Sequence, residues 1–132
     1  MSNKPKILVV EDEIENRKYL QLVLKKKYEL DFCDTKKSVF SLLSEKKYEV
    51  IIMDISLKNG YSGIDLIKDL KRKPAYKNIP IICLSAHAYG ENKRKAQELG
   101  ADIYLTKPVT NKVLLSTLDK LIVDSNSKEA AV

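Results

Sequence analysis

Four apolar residues followed at once by a carboxylate, Val50-Ile51-Ile52-Met53-Asp54, constrain this chain more than any other stretch. A run this short predicts a strand, and a strand apolar at every position is covered on both faces, as in a parallel sheet flanked by helices. An aspartate at the carboxyl end of such a strand sits where open α/β sheets place their ligands. The remaining elements are read around Asp54.

Taken in order, Lys6 to Val10 reads as a short apolar strand ending in Glu11-Asp12-Glu13. Asp12 is expected to cap the next helix, with Glu15 completing a capping-box pattern. Leu20, Val23 and Leu24 recur there at helical spacing, and a lysine run ends the helix. Tyr28 to Cys33 alternates apolar and polar residues, as an edge strand does. Val39, Leu42 and Leu43 mark a second helix, followed by the Asp54 strand and a turn at Asn59-Gly60. Ser62 opens a third helix with Ile64, Ile67 and Leu70 on its inner side. Ile79 to Leu84 is another apolar strand, with Pro80 tolerated at its start, and it ends at Ser85. A helix from about Tyr89 to Leu99 is closed by Gly100. A short strand over Asp102 to Leu105 leads to Thr106-Lys107-Pro108, and Thr110 caps a last helix with Leu114, Leu118, Leu121 and Ile122 inward. Five strands alternating with five helices imply a doubly wound α/β fold, a flavodoxin-like (βα)5 unit of strand order 2-1-3-4-5. The domain is expected to span residues 1–123, with 124–132 a frayed tail.

At 132 residues, 44% hydrophobic and 32% charged, the composition is that of one globular domain. No apolar run approaches the roughly 20 residues that span a bilayer. The start, Met1-Ser2-Asn3-Lys4-Pro5-Lys6, carries no signal-peptide pattern, so a cytoplasmic location is expected. Cys33 and Cys83 lie in strand-like segments and read as reduced, buried small hydrophobes. The net charge of +6 raises nucleic acid as a partner. However, Lys25-Lys26-Lys27, Lys46-Lys47 and Lys71-Arg72-Lys73 each close an expected helix, where cations suit the negative end of its dipole. They would form a solvated basic face opposite the strand carboxyl ends, and no nucleic-acid partner is expected.

Four strands end in polar residues on one rim: Glu11-Asp12, Asp54, Ser85 and Lys107. Each alone has an ordinary explanation as a cap, a loop or a surface residue. Together they do not, because like charges about 4 Å apart repel by about 4 kcal/mol at an effective dielectric near 20. Carboxylates so gathered need a cation, and hard oxygen ligands with room for water suit Mg²⁺. Lys107 adds a fixed positive charge.

The combination Glu11-Asp12, Asp54, Ser85-Ala86, Tyr104 and Lys107-Pro108 resembles the receiver domain of two-component response regulators, over about residues 5 to 123. The resemblance implies that Asp54 accepts a phosphoryl group from a phosphohistidine on a sensor histidine kinase or histidine phosphotransfer protein. It implies Mg²⁺ held by Asp12, Asp54 and the backbone carbonyl of Ser56, with Glu11 reaching it through water. Lys107 and Ser85 would contact phosphoryl oxygens, and Lys107-Pro108 would be a cis peptide. Ser85 and Tyr104 would form the switch that alters the face of the fourth helix, fifth strand and fifth helix. Ser56 and His87 would tune hydrolysis. The chain departs from the common receiver pattern at Lys58, where many members carry proline, and in a loop one residue longer before Gly63. The resemblance implies no enzyme beyond self-phosphorylation and slow autodephosphorylation.

Two enzyme or cofactor readings fit less well. A phosphatase of the haloacid dehalogenase type places a second aspartate where this chain has Ser56. An FMN binder needs hydroxyls and amides where Glu11-Asp12-Glu13 would repel a phosphate. A receiver-like scaffold that acts without phosphorylation is the remaining alternative. No effector motif follows Val123, so a stand-alone regulator is expected, passing its signal by protein contact or onward relay.

Overall fold

A computed structural model of the chain describes residues 4–55, 62–86 and 91–130. Ser56, Lys58, the Asn59-Gly60 turn, His87 and the expected helix start at Tyr89 lie outside the described residues.

The apolar runs form five parallel strands: β1 (Lys6–Val10), β2 (Glu29–Cys33), β3 (Val50–Asp54), β4 (Ile81–Ser85) and β5 (Ile103–Thr106). They alternate with α1 (Ile14–Leu24), α2 (Lys36–Glu45), α3 (Gly63–Arg72), α4 (Glu91–Leu99) and α5 (Asn111–Ala130). The sheet order is β2-β1-β3-β4-β5, as the sequence implies. All residues of β3 and β4 are buried, whereas edge strand β2 is half-exposed along most of its length.

The two-residue period of each strand divides the core into two layers. Ile7, Val9, Ile52 and Leu84 face Leu20 and Leu24 of α1 and Leu114, Leu118 and Ile122 of α5. Leu8, Val10, Met53 and Cys83 face Val39 and Leu43 of α2, Leu66, Ile67 and Leu70 of α3, and Ala96 of α4. Both cysteines are buried and carry free thiols, and burial pushes each thiol up to about 12.

The described helix ends agree with the sequence signals except at the start of α1 and the end of α5. Ser62 Oγ accepts from Ile64 N, and Thr110 Oγ1 accepts from Val113 N. Gly100, at φ +112°, closes α4 in a Schellman turn, with Gly100 N donating to Gln97 O and Ala101 N to Ala96 O. The N-cap of α1 is Glu13 rather than Asp12, and it makes no side-chain cap bond. The extended chain leaving β1 runs one residue further before it coils, so the Asp12–Glu15 capping box does not form. At the other end of the chain, helical backbone continues past Val123 to Ala130. No glycine or proline stands between these residues to stop it, and polarity alone does not break a helix.

The lysine runs lie at the helix carboxyl ends, on the edge opposite the strand tips. There Lys6 pairs with Glu29, Lys27 with Asp119, Lys46 with Asp31 and Lys71 with Asp102. Lys4 Nζ and Lys71 Nζ also donate to backbone carbonyls.

Gly63 sets how closely α3 approaches the tip of β3. A Cβ there would stand 2.6 Å from Ile55 Cα and 3.0 Å from the Asp54 carbonyl oxygen. Those neighbours are backbone, which cannot turn aside. Gly63→Ala is therefore expected to lower stability by about 1–3 kcal/mol, read as a lower urea midpoint at unchanged slope. An unchanged midpoint would mean that α3 shifts outward at no cost.

Candidate functional site

Parallel pairing carries the polar ends of β1, β3, β4 and β5 to one edge. Val10 lies opposite Met53, so the next residues, Glu11 and Asp54, face each other across the β1–β3 gap. This gap is where the strand order reverses, and open sheets leave a crevice there. Asp54 pairs with Leu84, and Ser85 with Thr106. Lys107 N then donates to Ser85 O at 2.7 Å, so the lysine leaves β5 fixed to the tip of β4. Its Nζ reaches Asp54 Oδ2 at 2.7 Å. The Lys107-Pro108 peptide is cis.

Burial raises the electrostatic stakes. Asp54 is 6% exposed, Glu11 3% and Ser85 fully buried. A buried carboxylate is costly unless paired and hydrogen-bonded. Lys107 offsets one negative charge. Glu11 eases the other by binding its proton more tightly: burial, reinforced by its hydrogen bond to Asp54 and the negative charge there, pushes its carboxyl up to about 7, against the pull of Asn16 and Lys107.

Glu11 is also held by groups that the sequence reading did not single out. Its backbone N donates to Cys33 O, and its carbonyl oxygen accepts from Arg17 Nε at 2.6 Å. Asn16 Nδ2 donates to Glu11 Oε1 at 2.6 Å. In sequence, Asn16 and Arg17 look like polar residues of an exposed helical turn. Only their spacing from Glu11, one turn into the helix, hinted at contact.

Asp12 stands half-buried on the same loop. Among the described residues, however, no three acidic, histidine or cysteine side chains gather as a cation cage. Glu11 and Asp54 meet across the β1–β3 gap, and Asp12 follows Glu11 on the loop that leaves β1. Tyr104 lies half-buried on β5, in the layer of α2, α3 and α4, opposite in facing to Ile103 and Leu105. Ser56 and His87 lie outside the described residues.

The donor set fits a hard divalent cation. It consists of oxygen atoms, and the two carboxyl groups that meet out of water are ones whose repulsion a cation would offset. Mg²⁺ takes one or two carboxylates and completes its shell with carbonyls, waters and phosphate oxygens.

Beside the site, Asn16, Tyr19, Leu20, Leu84, Val109 and Leu114 line a cavity of about 490 Å³ that opens on Glu11 and Lys107. Tyr19 OH donates to Asn111 Oδ1, tying α1 to the start of α5. The large apolar residues left exposed among those described, Ile14, Tyr19, Leu22 and Val113, all belong to this pair of helices.

The Glu11 shift fixes a direction for stability. The folded chain keeps this proton up to about 7, while the unfolded chain releases it near 4.5. The folded state therefore holds the extra proton between these values, and its contribution is full below the lower one and lost as pH rises through the upper one. Urea unfolding without divalent cations is expected to show stability falling across this window, and Glu11→Gln is expected to flatten the fall. An equally steep fall in the variant would assign it to another group.

The family described as the response regulator receiver domain matches residues 7–119 of this chain. The phosphate regulon transcriptional regulatory protein PhoB of Pseudomonas aeruginosa is 33% identical over 117 residues, which are 88% of this chain and 51% of that protein. The chain thus spans about half the length of such curated relatives. Among solved structures, the chemotaxis response regulator CheY4 of Vibrio cholerae superposes with a TM-score of 0.81 at 26% identity, covering 90% of this chain and 99% of that one. The receiver domain of sensor histidine kinase PA1611 from Pseudomonas aeruginosa has the same fold, with a TM-score of 0.81 at 23% identity over 90% of this chain and 98% of that one. It was solved with a magnesium ion coordinated in its active-site cleft. The chain belongs to the response regulator receiver domain family of two-component signalling.

Proposed function

We propose that this receiver domain takes a phosphoryl group from a sensor histidine kinase or histidine phosphotransfer protein onto Asp54. The observation that carries the reading is the buried Asp54 carboxylate at the β3 tip with the Lys107 ammonium 2.7 Å away. Phosphoryl transfer asks mainly for positioning and charge neutralisation. An Asp54 oxygen bonds to phosphorus as the bond to the donor imidazole nitrogen breaks. Lys107 offsets charge on one phosphoryl oxygen, and the Ser85 hydroxyl hydrogen-bonds another. Asp12, Asp54, the Ser56 carbonyl and, through water, Glu11 would hold Mg²⁺. When bound, this cation offsets the remaining negative charge on the transferred group.

The output reading follows from layering. Movement of Ser85 toward the phosphoryl group leaves space on the side of the sheet that Tyr104 faces. Turning this ring inward changes the surface of α4, β5 and α5, for protein contact or onward relay. Ser56 and His87 are assigned to tuning hydrolysis. A cytoplasmic location and the absence of nucleic-acid contact belong to the same reading. Two observations support them: lysines on the opposite edge pair with Glu29, Asp31, Asp102 and Asp119, and no described helix is long and apolar enough to cross a membrane.

The donor is expected to dock where Ile14 and Tyr19 of α1 and Val113 of α5, near the starts of these helices, leave apolar surface beside the rim. Ile14→Glu with Val113→Glu is expected to slow transfer from a phosphohistidine protein by about 10-fold or more, and from a small acyl phosphate by less. Equal slowing with both donors would remove this face from docking.

The chemistry is tested with Mg²⁺ and a small acyl-phosphate donor followed by intact-mass analysis. One labile phosphoryl adduct is expected. Asp54→Asn should abolish it, and Lys107→Ala should slow its formation by about 100-fold. Labelling that persists in Asp54→Asn would move the acceptor. No labelling of the wild-type chain would favour the unphosphorylated scaffold.

A further inference from the structure

We infer that Asn16 is a positioning residue for the cation site: it holds the Glu11 carboxyl group against the Asp54 rim. The inference rests on the proposed cation beside Asp54 and adds to it a residue on α1 that touches neither the phosphoryl group nor Asp54.

Glutamate in a two-acid rim has more freedom than the site can use. Its side chain turns about three bonds, and confining such a chain costs about 1–2 kcal/mol of rotamer entropy. Glu11 also borders the 490 Å³ cavity, which offers its carboxyl an alternative place away from Asp54. Asn16 closes that alternative. Its amide Nδ2 donates to Glu11 Oε1 at 2.6 Å, leaving the other oxygen for Asp54. The same amide lies 3.4 Å from Glu13 Oε2, a contact exposed to water and secondary to the first.

The backbone makes this grip effective. Arg17, the next residue, donates Nε to the Glu11 carbonyl oxygen, while Glu11 N donates to Cys33 O. The Arg17 guanidinium is itself set over the Phe32 ring and beside Asp34. The main chain of Glu11 is thus fixed on both sides, and Asn16 fixes what remains, its side chain. The line Asn16–Glu11–Asp54–Lys107 runs from the first turn of α1 to the segment after β5. Partners that orient ligands of a metal site typically account for about 10–100-fold in affinity. Glu11 is assigned a contact through water, so the lower end applies.

The test measures Mg²⁺ affinity by titration calorimetry and stability by urea unfolding for wild type, Asn16→Ala, Glu11→Gln and the double variant. Asn16→Ala is expected to weaken Mg²⁺ binding by about 10-fold. In the Glu11→Gln background the same change should have no further effect on affinity, because the group that Asn16 positions is already altered. Wild-type affinity in Asn16→Ala, with or without lost stability, would make Asn16 a purely structural residue and overturn the inference while leaving the cation site intact. Equal losses in the two backgrounds would also overturn it, because Asn16 would then act independently of Glu11. No Mg²⁺ binding by the wild-type chain would overturn the inference and the proposed cation together.

Discussion

Two carboxyl groups from different strands, Glu11 and Asp54, meet out of water with one ammonium beside them, and the rest of the molecule makes that meeting tolerable. Neither acid is placed by its own helix or loop. Each is placed by the end of a strand, β3 buried throughout and β1 buried over Ile7, Leu8, Val9 and Val10, and the two lie side by side where the order of the sheet reverses. Lys107 arrives from two strands further along, tied by its backbone to Ser85 before its side chain reaches Asp54. The apolar layers on both faces keep these strand tips in register, so the core acts directly on the electrostatics of the rim.

Such an arrangement is unfavourable unless something neutralises it. The Lys107 charge beside Asp54 and the raised proton affinity of Glu11 serve in the structure described here. A divalent cation replaces the proton in the proposed function, and an arriving phosphoryl group would use both the cation and the lysine. A rim that needs added positive charge is thereby also a rim that accepts a negatively charged group brought with it. Gly63 matters at the same strand tip, because it admits α3 to within contact of the backbone of Asp54 and Ile55.

Much of this was legible in the residues. Runs apolar at every position identify buried parallel strands, and their carboxyl ends give Glu11, Asp54, Ser85 and Lys107 in order. What was not legible depends on tertiary approach. The Asp12 cap failed because the point where the chain leaves the sheet, not the presence of an aspartate, decides where α1 begins. Asn16 and Arg17 carried little signal beyond their spacing from Glu11, since their helical turn reads as solvent-facing until β1 and α1 are folded together. Gly63, the first residue of α3, revealed its packing role only through the backbone it faces. The helical backbone of 124–130 was missed because a polar segment was equated with an unstructured one.

If proton and cation are alternatives at Glu11 and Asp54, binding one must displace the other. Calorimetric titration of the full chain with Mg²⁺ near pH 6.5, repeated in buffers of different ionisation enthalpy, counts the protons released. The account predicts binding accompanied by proton release that disappears in Glu11→Gln. Binding with no proton release, or release unchanged in that variant, would contradict it.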